Sequence, residues 1–260
     1  MPPTDRERER ARVKRRYDKR EVVARNRAAD RKRNRQVAVV VAAVVLVVGG
    51  FVALTGVLGR SAGTATALAP GCTAPPPAPS AAHTEKLPAP TLAAGRTWTA
   101  SIVTTCGPIT VDLDGAKAPQ TVASFIALAR SGFWADSPCH RLTSSGIFVL
   151  QCGDPTGSGN GGPGYGFGIE NAPASGSYPA GTLAMARATD PRSNGSQFFI
   201  VYKDTALPTA GGGYSIFGRV TAGLDVVTRV AAKGAAGGSG DGAPNSKVSI
   251  LSVAVAEKKA

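Results

Sequence analysis

The feature that most constrains this chain is VAVVVAAVVLVVGGFVALTGVL, Val37 to Leu58, in which 22 consecutive residues carry no charge. At about 1.5 Å per residue a helix of this length reaches roughly 33 Å, enough to cross the hydrocarbon core of a bilayer. The run is apolar on every side, unlike a helix that turns one stripe toward a soluble core. It exceeds a usual signal-peptide apolar region, and the charged stretch before it is too long for a signal's basic segment. Lipid attachment at Cys72, within LAPGC, is disfavoured because Cys72 stands well beyond the run. The expected organisation is a basic tail (1–36), a transmembrane helix (37–58), a Pro/Ala-rich linker (59–95) and a folded domain (96–257).

Charge follows the same division. The net charge of +13 at first suggests a nucleic-acid partner. Residues 1–36, however, hold 15 of the 30 basic and 6 of the 17 acidic residues, so the remaining 224 carry a net of only +4. Tyr17 is the tail's one aromatic, and no nucleic-acid partner is expected. The basic side of an apolar span stays in the cytoplasm, which sends the C-terminal domain outside. The tail then serves as a solvated topology signal or as a helix lying on anionic lipid. Residues 59–95, with APGCTAPPPAPS, read as an extended linker without a core; as a coil, 37 residues give about 33 Å of r.m.s. reach.

Beyond Arg96 the texture becomes periodic. WTASIVTTC and PITVDL alternate as strands around a Cys106-Gly107-Pro108 turn. APQTVASFIALARSGF reads as a helix, with Pro119 in its first turn and Val122, Phe125, Ile126, Leu128 and Ala129 as its apolar stripe. CHRL, GIFVLQCG, GTLAMA, SQFFIVY, YSIFGRV and KVSILSVAV read as strands, and GLDVVTRVAAKG as a second helix. Many short strands with two helices suggest a mostly β domain, an antiparallel barrel with helical caps. Trp98 and Trp134 are expected in packing, and Asn194-Gly195 as a turn.

All four cysteines follow the apolar run, and in an oxidising compartment they imply two disulfides. Sequence alone allows three pairings. Cys139 and Cys152 lie on neighbouring strands of one short unit, which favours joining them and leaves Cys72 for Cys106. The cysteine spacings do not fit paired zinc ligands, so no metal is expected. His140 is the domain's single histidine and alternates with Arg141 along a strand, so the two face opposite ways. A structural role is expected for it. No HExxH, GxSxG or SxxK motif occurs, and Asp112 and Asp114 flank a turn as surface residues. GSGNGG, Gly157 to Gly162, matches GxGxxG formally but runs into Pro163 rather than opening a helix, so no phosphate cradle is expected.

What remains is an arginine, a glutamine and apolar side chains, with neither nucleophile nor acid–base pair. Rotation about an Xaa-Pro bond suits such a set, because no covalent bond forms or breaks. Amide resonance sets a barrier of about 18–20 kcal/mol. A guanidinium donating to the prolyl nitrogen would compete with that resonance. Removing about 7 kcal/mol gives roughly 10⁵-fold acceleration.

CHRL…FVLQCGD, GTLAMA, NGSQFFI and FGRV, in this order over residues 97–256, resemble the cyclophilins, a family of peptidyl-prolyl cis–trans isomerases. The tail, apolar run and linker resemble its membrane-anchored actinobacterial members. The resemblance implies a closed eight-stranded antiparallel β-barrel capped by two α-helices, and no cofactor. It implies Arg141 as the catalytic arginine and Gln151 as the glutamine that positions it and the substrate backbone. Phe148, Val149, Phe199 and Leu207 match the proline pocket, Ala186 and Arg187 the backbone-contacting pair, and Gln197 a rim residue. Ala206 stands where tryptophan is frequent, which implies weak cyclosporin binding. Tyr214, after the longer loop PTAGGG, stands where a histidine often closes the site. The partners implied are Xaa-Pro segments of unfolded or exported proteins. The rival reading is a proline-peptide-binding chaperone or scaffold with little turnover.

Overall fold

The computed structural model describes residues 67–238 and 240–259. The expected tail, apolar run and first linker residues, 59–66, lie outside the described residues. Among the described residues no helix is long and apolar enough to cross a membrane.

The domain begins with a hairpin of β1 (Thr97–Thr104) and β2 (Gly107–Asp114). Burial alternates along both, as period-2 side chains require. Trp98, Ala100 and Ile102 stand opposite Leu113, Val111 and Ile109 and turn inward together. The connection is Thr105-Cys106, so Gly107, expected in the turn, opens β2 instead.

Helix α1 (Pro119–Arg130) starts on proline, as its sequence predicts, and buries Val122, Phe125, Ile126, Leu128 and Ala129. Its N-terminus has no local side-chain cap. The distant Glu170 carboxylate accepts from the backbone N–H of Gln120 (3.0 Å) and Thr121 (2.8 Å), satisfying donors the helix cannot pair. Helix α2 (Leu224–Ala231) turns Val226, Val227 and Val230 inward. Phe125, Trp134, Phe198 and Phe217 meet at the centre with ring centroids 4.7–5.8 Å apart.

The remaining strands are β3 (Ser137–Pro138), β4 (Arg141–Thr143), β5 (Val149–Cys152), β7 (Thr182–Met185), β8 (Phe198–Val201), β10 (Ile216–Ala222), β11 (Asp241–Gly242) and β12 (Ser249–Glu257). With the hairpin they form one antiparallel sheet ordered β11-β4-β5-β8-β7-β10-β2-β1-β12-β3. β6 (Ser177–Tyr178) and β9 (Thr205–Ala206) pair separately. β3 ends the order at one edge and β4 lies next to the other, yet only Cys139 and His140 separate them. Three residue steps span at most about 11 Å, so the sheet must curl until its edges approach. The sheet has ten strands where eight were expected, two of them, β3 and β11, only two residues long. The expected closure is not met: no ladder joins β11 to β3 among the described residues, and the edges are joined covalently by the chain.

The linker expectation needs correction for residues 67–95. They form a strap on the domain, with Ala69 and Ala93 buried. Ala69 donates its N–H to Ser246 Oγ (2.8 Å), and Thr73 to the Thr105 carbonyl (2.8 Å). His83 packs its ring on Phe133 at 5.0 Å, and Glu85 N–H reaches the Pro163 carbonyl (2.9 Å). Gln120 Nε2 donates to the Pro88 carbonyl (3.0 Å) before a 3-10 turn at Pro90–Leu92. The strap has no core of its own, as its composition says, but borrows one through backbone hydrogen bonds. Cys72 is bonded to Cys106, and Cys139 to Cys152, the pairing the strand adjacency favours.

Candidate active site

Cross-strand register builds the site. Arg141 stands opposite Gln151, Gln151 opposite Phe199, Phe199 opposite Ala184, and Ala184 opposite Ile216. Directly opposed residues share a face, so these five form one row across four ladders. The next row, Leu142, Leu150, Ile200 and Leu183, is buried in the main core. The Arg141 row is therefore on the outer face of the curled sheet. There Val149, Tyr178, Ala184, Phe199, Val201 and Leu207 make a second apolar cluster, edged by Ile147, Ala186, Tyr214 and Ile216.

A cavity of about 590 Å³ opens over this cluster, lined by Arg141, Val149, Gln151, Phe199, Leu207, Tyr214 and Asp241 among others. Tyr214 stands edge-on to Phe199, with centroids 5.7 Å apart at 80°. Its backbone is held by the Tyr178 hydroxyl, 2.9 Å from both its N–H and its carbonyl. Arg187 fixes the loop before it, donating Nε to the Gly213 carbonyl (2.7 Å) and Nη2 to that of Ala210 (3.1 Å). Ala186 and Arg187 form a ridge shared with a second cavity of about 670 Å³, walled by residues 159–166 and by Ser193, Gly195, Ser196 and Gln197.

A polar chain crosses the rim. Arg141 Nη1 donates to Gln151 Oε1 (3.3 Å), and Gln151 Nε2 to Gln197 Oε1 (2.9 Å). Gln197 Nε2 then donates to the Gly159 and Gly161 carbonyls, each at 2.9 Å. That glycine loop is wound around Asp154. Burial pushes the Asp154 carboxyl up, but the N–H groups of Gly161 and Thr156 and the hydroxyls of Thr156 and Ser158 outweigh it and hold the pKa at about 2. The loop opens no helix.

On its other side Arg141 meets Asp241 face to face, Nε to Oδ1 at 2.8 Å and Nη2 to Oδ2 at 2.7 Å. This hydrogen-bonded carboxylate holds the guanidinium pKa above its ordinary value. Arg141 thus engages three of its five N–H groups with protein, and two remain for a ligand. His140 contributes no such donor to the cavity: both ring nitrogens are buried without a hydrogen-bond partner, and burial lowers its pKa.

Arg141, Gln151, Val149, Phe199, Leu207, Tyr214, Ala186 and Arg187 come together as expected, with Gln197 behind Gln151. Phe148 does not join them. It lies an odd number of residues from Gln151 and packs on Tyr202 (6.0 Å) beneath the Lys203 ammonium (4.5 Å). Alternation places Ile147 at the cavity instead. Ala206 is exposed, so no ring stands beside Leu207 there. Asp241 was not among the expected residues. A lone aspartate in a glycine-rich stretch has no periodic signature, and only the β4–β11 ladder brings it to Arg141.

An apolar cavity beside a cation with unused donors suits a class of ligand, an apolar ring flanked by hydrogen-bond acceptors. Comparison with known proteins gives the protein's family. The family model described as cyclophilin type peptidyl-prolyl cis-trans isomerase/CLD matches residues 99–255, and the chain belongs to this family. It is 46% identical over 168 residues to a probable peptidyl-prolyl cis-trans isomerase B of Mycobacterium tuberculosis (strain ATCC 25618 / H37Rv), covering 59% of this chain. The match spans about half, 53%, of that relative's length. A probable isomerase B of Mycobacterium leprae is 43% identical over 205 residues, covering 72% of this chain and 68% of the relative. A crystal structure of a Cryptosporidium parvum cyclophilin type isomerase superimposes with a TM-score of 0.53 at 29% identity, covering 63% of this chain and 99% of that one.

Proposed function

We propose that the domain is a peptidyl-prolyl cis–trans isomerase acting on Xaa-Pro segments of unfolded or exported proteins. The observation that carries this reading is Arg141, with two uncommitted N–H groups, beside an apolar cavity floored by Val149, Phe199 and Leu207. The apolar floor takes the prolyl ring and holds it while the preceding carbonyl swings. Twisting the amide localises the lone pair on the prolyl nitrogen, and a guanidinium donor there favours the twisted state over either planar one. That preference lowers the barrier, because only interactions stronger in the transition state accelerate the step. Gln151 orients the guanidinium and offers its amide to the substrate backbone. The chemistry needs no cofactor.

The placement is part of the same proposal. Val37 to Leu58 spans the cell membrane once, the basic tail stays in the cytoplasm, and the isomerase domain faces outward. The strap supports this reading, since two disulfides suit an oxidising compartment.

The test is the cis–trans exchange rate of a short Xaa-Pro peptide, measured by NMR with the full chain and with Arg141→Ala. Fast exchange that falls about 10²–10³-fold in the variant, the scale of losing one preorganised donor, supports the enzyme. Peptide binding by the folded protein without faster exchange would leave the rival, a proline-peptide-binding scaffold.

A further inference from the structure

We propose that Asp241 is a positioning residue for catalysis, setting the plane of the Arg141 guanidinium so that its two remaining N–H groups face the substrate amide. This rests on the isomerase reading above and extends it to a residue on a different strand.

The local fold is arranged around this carboxylate. Asp241 and Gly242 pair with Thr143 and Leu142, which brings the Asp241 strand alongside the strand of Arg141. The approach is fixed on both sides: Ser144 N–H donates to the Gly240 carbonyl (2.7 Å), and Ala236 N–H to that of Ala243 (2.8 Å). Gly242 is required there, because a Cβ would lie 2.6 Å from the Ala236 carbonyl oxygen. Asn245 Nδ2 donates to the Lys233 carbonyl (2.9 Å), drawing together the two ends of the segment that carries Asp241.

The geometry of the pair is what a positioning role needs. Asp241 takes Nε and Nη2 in a two-point contact, which fixes the guanidinium plane as well as its location. Gln151 takes one Nη1 hydrogen from the other side. Between them they restrain the plane and leave one Nη1 and one Nη2 hydrogen uncommitted. A catalyst that must donate to a nitrogen lone pair in a twisted amide depends on that angle, since misplaced donors forfeit much of their effect. The side chains of the pair are 39% and 51% exposed, so solvent screens part of what it adds to stability.

The test uses the full chain and its Asp241→Ala, Asp241→Asn and Asp241→Glu variants. Exchange rates at saturating and at low peptide separate turnover from binding, chemical-shift titration gives peptide affinity, and the Arg141 Nε–H resonance reports the guanidinium. We expect Asp241→Ala to lower the saturated exchange rate about tenfold, the scale of losing a charged hydrogen-bond partner. Affinity should stay within about twofold of the parent, since the apolar floor is untouched. The Nε–H signal should lose its protection, and Asp241→Glu should recover part of both rate and signal. An unchanged rate in Asp241→Ala overturns the proposal. So does a rate loss matched by an equal loss of affinity. If Asp241→Ala fails to fold, the near-isosteric Asp241→Asn decides by the same criteria; if that also unfolds, Asp241 is structural and the proposal is wrong. Parent protein that does not accelerate exchange, or Arg141→Ala at the parent rate, defeats the isomerase reading first and is distinguishable from both.

Discussion

At the scale of single residues, Arg141 and Gln151 were legible because motif and register agree on them. Phe148, implied by the resemblance, lies outside the cavity lining, where alternation from Gln151 puts Ile147. The two readings separate in a titration. Phe199→Leu should weaken proline-peptide binding about tenfold while costing less than about 1.5 kcal/mol of stability, whereas Phe148→Ala should leave binding unchanged. Equal effects would mean that the substrate reaches the Tyr202 side as well. Asp154 supplies a pH prediction. Its pKa is about 2, below its ordinary 3.8. Its contribution to stability is therefore complete above about pH 4 and is lost as pH falls through about 2. Urea midpoints between pH 5 and 2 should fall for the parent, and the fall should be shallower in Asp154→Asn. Parallel curves would show that the loop does not depend on this charge.

At the scale of elements, the longer strands and both helices were legible because each has a period and a buried face, whereas the two-residue strands β3, β6, β9 and β11 are too short to show one. The strap was not legible either. APGCTAPPPAPS has no period, and the strap is held by backbone groups, Cys72, the His83 ring and single buried alanines, none of which makes a pattern in the sequence. Its cooperation with the domain is testable. In a Cys72→Ser/Cys106→Ser variant, amide exchange across residues 67–95 should accelerate while β5 and β8 keep their protection. A loss of protection spread evenly over the sheet would instead make the strap part of the global fold. For a closed loop of this length, the chain-entropy model gives about 4 kcal/mol lost if the whole domain depends on it.

At the scale of the molecule, the anchor proposed at residues 37–58 would join the domain through the strap. The strap changes what a tether means here. Cys72 and Cys106 lie 34 residues apart and are covalently joined. A protease that cuts once between them leaves both pieces linked, so the catalytic domain is not released. Such a cut would appear as two bands under reducing conditions and one without reductant. If residues 37–58 anchor the chain as proposed, the disulfide keeps the domain attached after a cut between Cys72 and Cys106, whereas a cut between residue 58 and Cys72 still frees it.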